Sequence, residues 1–224
     1  MKIHFSPVST ASRPVILFCE QNNIPYEGVV VDLMTGEHKG PAYLKLSPNG
    51  LVPVLEDGDF LLSESSAILK YIADKHNSPA YPKDLKQRAR VNELMDWFNT
   101  QFYRELGYHI VYPQTFPHHK RSPDAVNVAT VEWGKKQLEA WAEVLDKHYI
   151  GSNKYVCGNE ITLADYLGAE ILSSGDLIGV NVKRYPNIDR WMTTMRSLPA
   201  WKKVHEVIDG FAASLKGQQF LTFQ

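Results

Sequence analysis

The sequence predicts an α/β module followed by an all-helical domain. Three observations predict it. Residues 1–76 alternate short β-branched runs with helical stretches and end in a hairpin and a helix; residues 77–82, Asn77-Ser78-Pro79-Ala80-Tyr81-Pro82, put two prolines among small polar residues; and beyond them every apolar pattern has helical spacing. The expected boundaries are therefore residues 1–76 for the first domain, 77–82 for a linker and 83–224 for the second domain. A chain of 224 residues is long enough to bury a core in each.

Taken in order, Ile3 and Phe5 make a brief strand, and Ser6 to Ser12 form a small-residue loop. Arg13-Pro14 leads into Val15, Ile16, Leu17 and Phe18, a helix with proline tolerated in its first turn, stopped by Asn22, Asn23 and Pro25. Tyr26 to Val31 is a second strand, and the polar loop Met34 to Gly40 follows. Pro48-Asn49-Gly50 and Asp57-Gly58 are turn chemistry around the short strands Val52 to Leu55 and Phe60 to Leu62, and a helix runs from Ser65 to about His76. Strand, helix, strand, hairpin, helix is a thioredoxin-like order, with the first two strands parallel across their crossover helix.

In the second domain Val91, Leu94, Met95, Phe98 and Phe102 mark a helix from Lys83 to about Tyr112, ended by Pro113. Pro123 opens another, with Val128, Val131, Leu138, Trp141 and Leu145 on one face. Thr162-Leu163-Ala164-Asp165 is a capping box with aspartate in place of glutamate, and Ile161 is placed to staple Tyr166. Pro186 and Pro199 each begin a shorter helix, and residues 210–224 form a tail carrying Phe211, Phe220 and Phe223.

Composition narrows the function. A formal net charge of −1 gives no electrostatic footprint for nucleic acid or an anionic membrane. No apolar run approaches the ~20 residues of a membrane helix, and Met1 to Phe5 lacks the layout of a signal peptide, which together point to the cytosol. Cys19 and Cys157 have no metal or redox spacing and read as buried, inert thiols; no metal site is expected.

The stretch Ser47 to Leu69 carries the recognition chemistry. A cis Val52-Pro53 bond would turn the backbone of Val52 outward to pair with an extended peptide; the alternative is an ordinary trans proline at a strand edge. Ser65 at a helix start, with the free amides of the first turn, would receive a carboxylate; the alternative is a plain helix cap. Ser9, Thr10 and Ser12 are each able to cap the first helix.

The pattern N-G-x-V-P-x-L-x-D-G-D followed by S-E-S-S-A-I-L, together with Tyr155 through Thr162 to Asp165, resembles the soluble glutathione transferases, closest to the theta-like, serine-using classes. The resemblance covers nearly the whole chain. It implies a thioredoxin-like glutathione-binding domain, a helical domain contributing the electrophile site, and a cytoplasmic homodimer.

It further implies that Ser9, four residues before Arg13, donates a hydrogen bond to the glutathione thiolate, with Thr10 and Ser12 as the alternatives. His38 and Lys39 would bind the glycyl carboxylate, Val52 beside cis Pro53 the cysteinyl backbone, and Glu64 and Ser65 the γ-glutamyl end. Tyr103, Tyr108, His109, Tyr112 and Phe116 would wall the electrophile pocket. Two departures stand out. The segment Trp97 to Gln101 lacks the acid that theta-like proteins send across the dimer, and Arg104 lies one position off an arginine that some relatives use.

The function implied is conjugation of glutathione, as cosubstrate without a further cofactor, to small hydrophobic electrophiles by substitution or addition. Peroxidase, dehalogenase or isomerase chemistry shares the same thiolate. A thiol oxidoreductase would need a cysteine between residues 6 and 12, which is absent. A non-catalytic glutathione-binding scaffold is the remaining alternative.

Overall fold

The computed structural model describes residues 1–223; the last residue of the expected tail, Gln224, lies outside them. Four strands, β1 (Lys2–Phe5), β2 (Glu27–Val30), β3 (Val54–Asp57) and β4 (Phe60–Ser63), form one sheet in the order β2-β1-β3-β4. β1 runs parallel to β2, from Lys2 opposite Glu27 to Phe5 opposite Val30, and antiparallel to β3. The crossover between β1 and β2 is α1 (Arg13–Gln21), whose Val15 to Cys19 are buried, and the short α2 (Pro41–Leu44) follows the loop after β2. α3 (Ser65–Lys75) closes this thioredoxin-like half. β3 begins at Val54, two residues later than expected, because Pro53 has no N–H to give a ladder. The Val52-Pro53 bond is cis, and so is Ser122-Pro123, for which no local signal stands in the sequence.

Among the described residues the elements after α3 are helices, α4 (Leu85–Trp97), α5 (Tyr112–Thr115), α6 (Asp124–Val144), α7 (Leu163–Ser173), α8 (Pro186–Arg196) and α9 (Trp201–Ser214), with one isolated β-bridge between Tyr155 and Gly158. Between α4 and α5 the helix widens into π turns over Phe98–Phe102 and Arg104–Val111. The expected stop before Pro113 is therefore wrong: the ring opens the fresh α-turn of α5, where a proline N–H is not needed. α9 likewise passes through Gly210, where a tail was expected. The stacking of Phe211 on Phe116, with centroids 5.9 Å apart, offsets the ~1 kcal/mol a helical glycine costs. On α6, Val131 and Leu138 are buried, as is Leu145 just past its end, whereas Val128, expected on that face, is 50% exposed.

α7 is the central helix, with all its residues from Leu163 to Ser173 buried. Its start is the expected capping box: Asp165 accepts from the Thr162 N–H (2.8 Å) and hydroxyl (3.0 Å), and also from the Val156 N–H and the Trp191 indole (both 2.9 Å). Burial pushes the Asp165 carboxyl up to about 6 despite those bonds. Gly168, in the middle of α7, lets Phe98 lie against its backbone: a Cβ there would come within 2.3 Å of the ring. Phe98 is fully buried and stacked on Trp191, so it cannot retreat. Gly168→Ala should therefore destabilise the fold by about 1–3 kcal/mol, read as a lower denaturant midpoint with an unchanged m-value.

Candidate functional site

A cavity of about 410 Å³ opens between the carboxyl end of β1, the loops after β2 and before β3, the start of α3, and the widened helix from Asn99 to Phe116. Its floor is the loop that leads into α1. There the chain turns at Ser9, whose carbonyl accepts from the N–H groups of Ser12 and Arg13 (both 3.1 Å). The Ser9 hydroxyl oxygen accepts from the Ser12 N–H at 3.2 Å and so closes the turn before α1, whose N-cap position is Ser12; among the described residues its hydrogen goes to no acceptor, and it lines the cavity. Thr10 also lines the cavity, whereas Ser12 is fully buried, takes the Ser6 N–H at 3.3 Å and does not reach it.

The loop is anchored from behind. Arg13, buried, donates through Nη1 to the Val8 carbonyl (3.1 Å) and through Nε to Glu170 of α7 (2.8 Å), and Glu170 is also bonded to His205 of α9 (3.0 Å). Burial pushes the Glu170 carboxyl up, but Arg13 and His205 outweigh it and hold it below its ordinary range.

On the opposite side, the loop from Ser47 to Pro53 is held by the Leu51 carbonyl, which accepts from Tyr43 (2.9 Å) and Ser47 (3.0 Å). Lys39 also belongs to this scaffold: its Nζ donates to the Gly50 carbonyl at 2.9 Å, and it does not line the cavity. His38 beside it does, with Nδ1 buried and unpartnered. Burial, Lys39 and His118 push its pKa down, so at neutral pH it is an uncharged imidazole. Val52 lines the cavity too, and neither its backbone N–H nor its C=O has a hydrogen-bond partner among the described residues.

Glu64 precedes α3 with φ +71° and ψ +114°, a conformation that costs a non-glycine residue about 1–3 kcal/mol. Among the described residues no side chain caps α3, which leaves the N–H groups of its first turn without side-chain partners at the cavity edge, where Glu64 and Ser65 both sit. Asn99, from the widened helix, donates to Ser66 Oγ at 2.7 Å and lines the cavity beside them.

The remaining wall is aromatic. Tyr103, Tyr108, Tyr112 and Phe116 all line the cavity, and Tyr103 and Tyr112 share a 2.6 Å hydroxyl bond. Burial pushes all three tyrosines above their ordinary value, which keeps them as phenols at neutral pH. His109, expected in this wall, is not there: its Nδ1 bonds Glu105 at 2.7 Å and its Cβ faces Gly134 of α6. Arg104 is likewise turned away, onto Glu105 and Gln101.

Two family models match: "Glutathione S-transferase, N-terminal domain" over residues 3–80 and "Glutathione S-transferase, C-terminal domain" over residues 114–199. Human glutathione S-transferase theta-2 is 31% identical over 194 residues, covering 85% of this chain and 78% of that protein. The chain belongs to the glutathione S-transferase family.

Other relatives span this transferase still more fully. Human glutathione S-transferase theta-1 is 30% identical over 93% of this chain and 88% of its own. Among solved structures, a delta-class glutathione transferase of Nilaparvata lugens superposes with a TM-score of 0.83 at 29% identity, covering 96% and 98% of the two chains. The apo form of human glutathione S-transferase T1-1 gives 0.82 at 29%, covering 95% and 90%.

Of the residues expected at the transferase site, Ser9, His38, Val52, Pro53, Glu64, Ser65, Tyr103, Tyr108, Tyr112 and Phe116 meet around one cavity, and Lys39 does not. Sequence reasoning missed Asn99, His118 and His119. The histidine pair was visible as Pro117-His118-His119, but nothing in its spacing says that the chain doubles back there toward the cavity.

Proposed function

We propose that this transferase ionises glutathione at Ser9 and joins the sulfur to small hydrophobic electrophiles by substitution or addition. The observation that carries this reading is the Ser9 hydroxyl: its oxygen is occupied by the Ser12 N–H, which leaves its hydrogen to point at a sulfur in the cavity. The amide dipoles at the start of α1 favour the anion as well.

The rest of the tripeptide follows the cavity. The unpaired backbone of Val52 takes the cysteinyl amide groups by strand-like pairing. Glu64 receives the γ-glutamyl amine, and Ser65 with the uncapped amides of α3 receives its carboxylate. The backbone strain at Glu64 fits a side chain held in place for a ligand. His38 donates to the glycyl carboxylate as a neutral imidazole, and Lys39 serves by pinning the loop before Val52. Asn99 stands next to the γ-glutamyl pocket and orients Ser66.

Glutathione is the cosubstrate, and this chemistry calls for no further cofactor. We assign a cytoplasmic homodimer; no helix among the described residues is long and apolar enough to cross a membrane.

The test is a pH titration of the thiolate absorbance of protein-bound glutathione. An apparent thiol pKa well below the ~8.5 of a free thiol supports the reading, and bound glutathione with an unshifted thiol overturns it in favour of a binding scaffold. Glu64→Ala, which removes one charge-assisted bond to the amine, should weaken glutathione binding by about 10- to 100-fold in a calorimetric titration and leave the thiol pKa of the bound tripeptide unchanged.

A further inference from the structure

A second cavity, of about 270 Å³, lies behind the loop that carries Ser9 and shares no residue with the first. It opens between the sheet edge and α9. Ile16 of α1, Val30 of β2, Val204 and Val207 of α9, and the rings of Phe5 and Tyr26 make its apolar walls. Gly28 gives the two rings their room. A Cβ there would lie 3.1 Å from the Phe5 ring and 3.4 Å from the Tyr26 ring, so both rest on bare strand backbone. β2 is the outermost strand, and Val30 and Val207 are 59% and 50% exposed, which leaves the mouth open to solvent.

One ionised acceptor faces this apolar space. Glu20 of α1 lines it, accepting from the Tyr26 hydroxyl on Oε1 (2.9 Å) and from Lys203 Nζ on Oε2 (2.7 Å). The Lys203 bond, against the cost of burial, holds the Glu20 carboxyl below its ordinary range, so it is a carboxylate at neutral pH. A carboxylate accepts about four hydrogen bonds, and among the described residues Glu20 has these two.

We propose that this cavity binds a neutral two-ring aromatic molecule carrying one O–H or N–H donor, with the donor bonded to Glu20. The site does not depend on the transferase reading.

Size, shape and charge each narrow the ligand. A dry apolar cavity of about 150 Å³ admits benzene, and this one is nearly twice as large, which fits two fused rings. Phe5 and Tyr26 offer ring edges and faces to a planar body. Every charge on the lining already has its partner: Arg13 is paired with Glu170 at 2.8 Å, and Lys203 with Glu20. A ligand anion would therefore meet the Glu20 carboxylate without a spare cation, and a ligand cation would lose its hydration against the valines. A neutral donor meets neither cost.

The experiment titrates 2-naphthol, a neutral phenol at pH 7, into the intact protein by calorimetry, alone and with saturating S-hexylglutathione to fill the first cavity. One site should survive the S-hexylglutathione. At that site 2-naphthol should bind about tenfold more tightly than 2-methoxynaphthalene, which lacks the donor, because a hydrogen bond to a charged group is lost. The charged 2-naphthoate should bind no better than the ether. Val207→Trp, at an exposed position on α9, puts an indole into the mouth and should abolish the site. Glu20→Gln, which keeps the shape but not the charge, should weaken 2-naphthol by about fivefold and leave 2-methoxynaphthalene unchanged. No surviving site overturns the inference, as does a surviving site that Val207→Trp leaves intact. Equal affinity for the naphthol and its ether, tighter binding of the carboxylate, or a Glu20→Gln loss shared by the ether overturns the ligand class. If S-hexylglutathione itself does not bind, the transferase reading fails, and the loss in Val207→Trp still decides this site.

Discussion

Replacing Ser9 with alanine should raise the thiol pKa of bound glutathione by about 1–2 units and lower kcat/KM at neutral pH by about 10- to 100-fold, with little change in glutathione affinity. The magnitude follows from the bond removed: a hydrogen bond to a charged group contributes about 1.5–3 kcal/mol, and each pKa unit is about 1.4 kcal/mol. The loss should shrink as pH rises past about 8.5, where even an unassisted thiol is mostly ionised. A packing defect would not close in this way. Thr10→Ala is the necessary companion, because Thr10 lines the same cavity. If Thr10→Ala rather than Ser9→Ala carries the shift in the pH profile of kcat/KM, the two hydroxyls exchange roles.

How much of this was legible beforehand divides along a physical line. The order of strands and helices was readable because period-2 and period-3.6 patterns, turn residues and the Thr162-Asp165 box are local signals. The residues around the cavity were readable through the resemblance, since N-G-x-V-P and S-E-S-S fix backbone positions that a peptide ligand would use. What was not legible depends on contacts between distant segments. Lys39 sits beside His38 in sequence, yet Gly50, eleven residues on, supplies the carbonyl that draws it away from the cavity. His109 has the helical spacing of the aromatic wall, but the π turns rotate it toward Glu105 and α6. Neither the widening of that helix nor the passage of α9 through Gly210 has a local cause that sequence periodicity reports.

The same long-range dependence sets the largest stability effect expected here. Arg13 and Glu170 are 157 positions apart, and their side chains are 1% and 0% exposed. Breaking such a pair leaves a charge in the interior without its partner, at a cost of about 3–5 kcal/mol. Glu170→Ala should therefore destabilise the protein by that amount in denaturant titration, since it strands Arg13 and deprives His205 of its 3.0 Å partner. Replacing both members, Arg13→Met with Glu170→Leu, should recover most of the loss, because an apolar pair of similar volume removes the desolvation cost with the attraction. Stability regained in the double variant need not bring activity with it. Arg13 Nη1 also holds the Val8 carbonyl, immediately before Ser9, and methionine cannot replace that bond. A double variant that is stable, binds glutathione and leaves its thiol less acidic would assign Arg13 the task of setting the loop. One that ionises glutathione as the intact protein does would confine Arg13 to the fold. The sign of the pH dependence is fixed as well. Because Glu170 is held below its ordinary 4.5, the pair's contribution is complete above that value and disappears as pH falls through the lower folded-state value. The intact protein should therefore lose stability steeply on acidification, and the double variant should lose less.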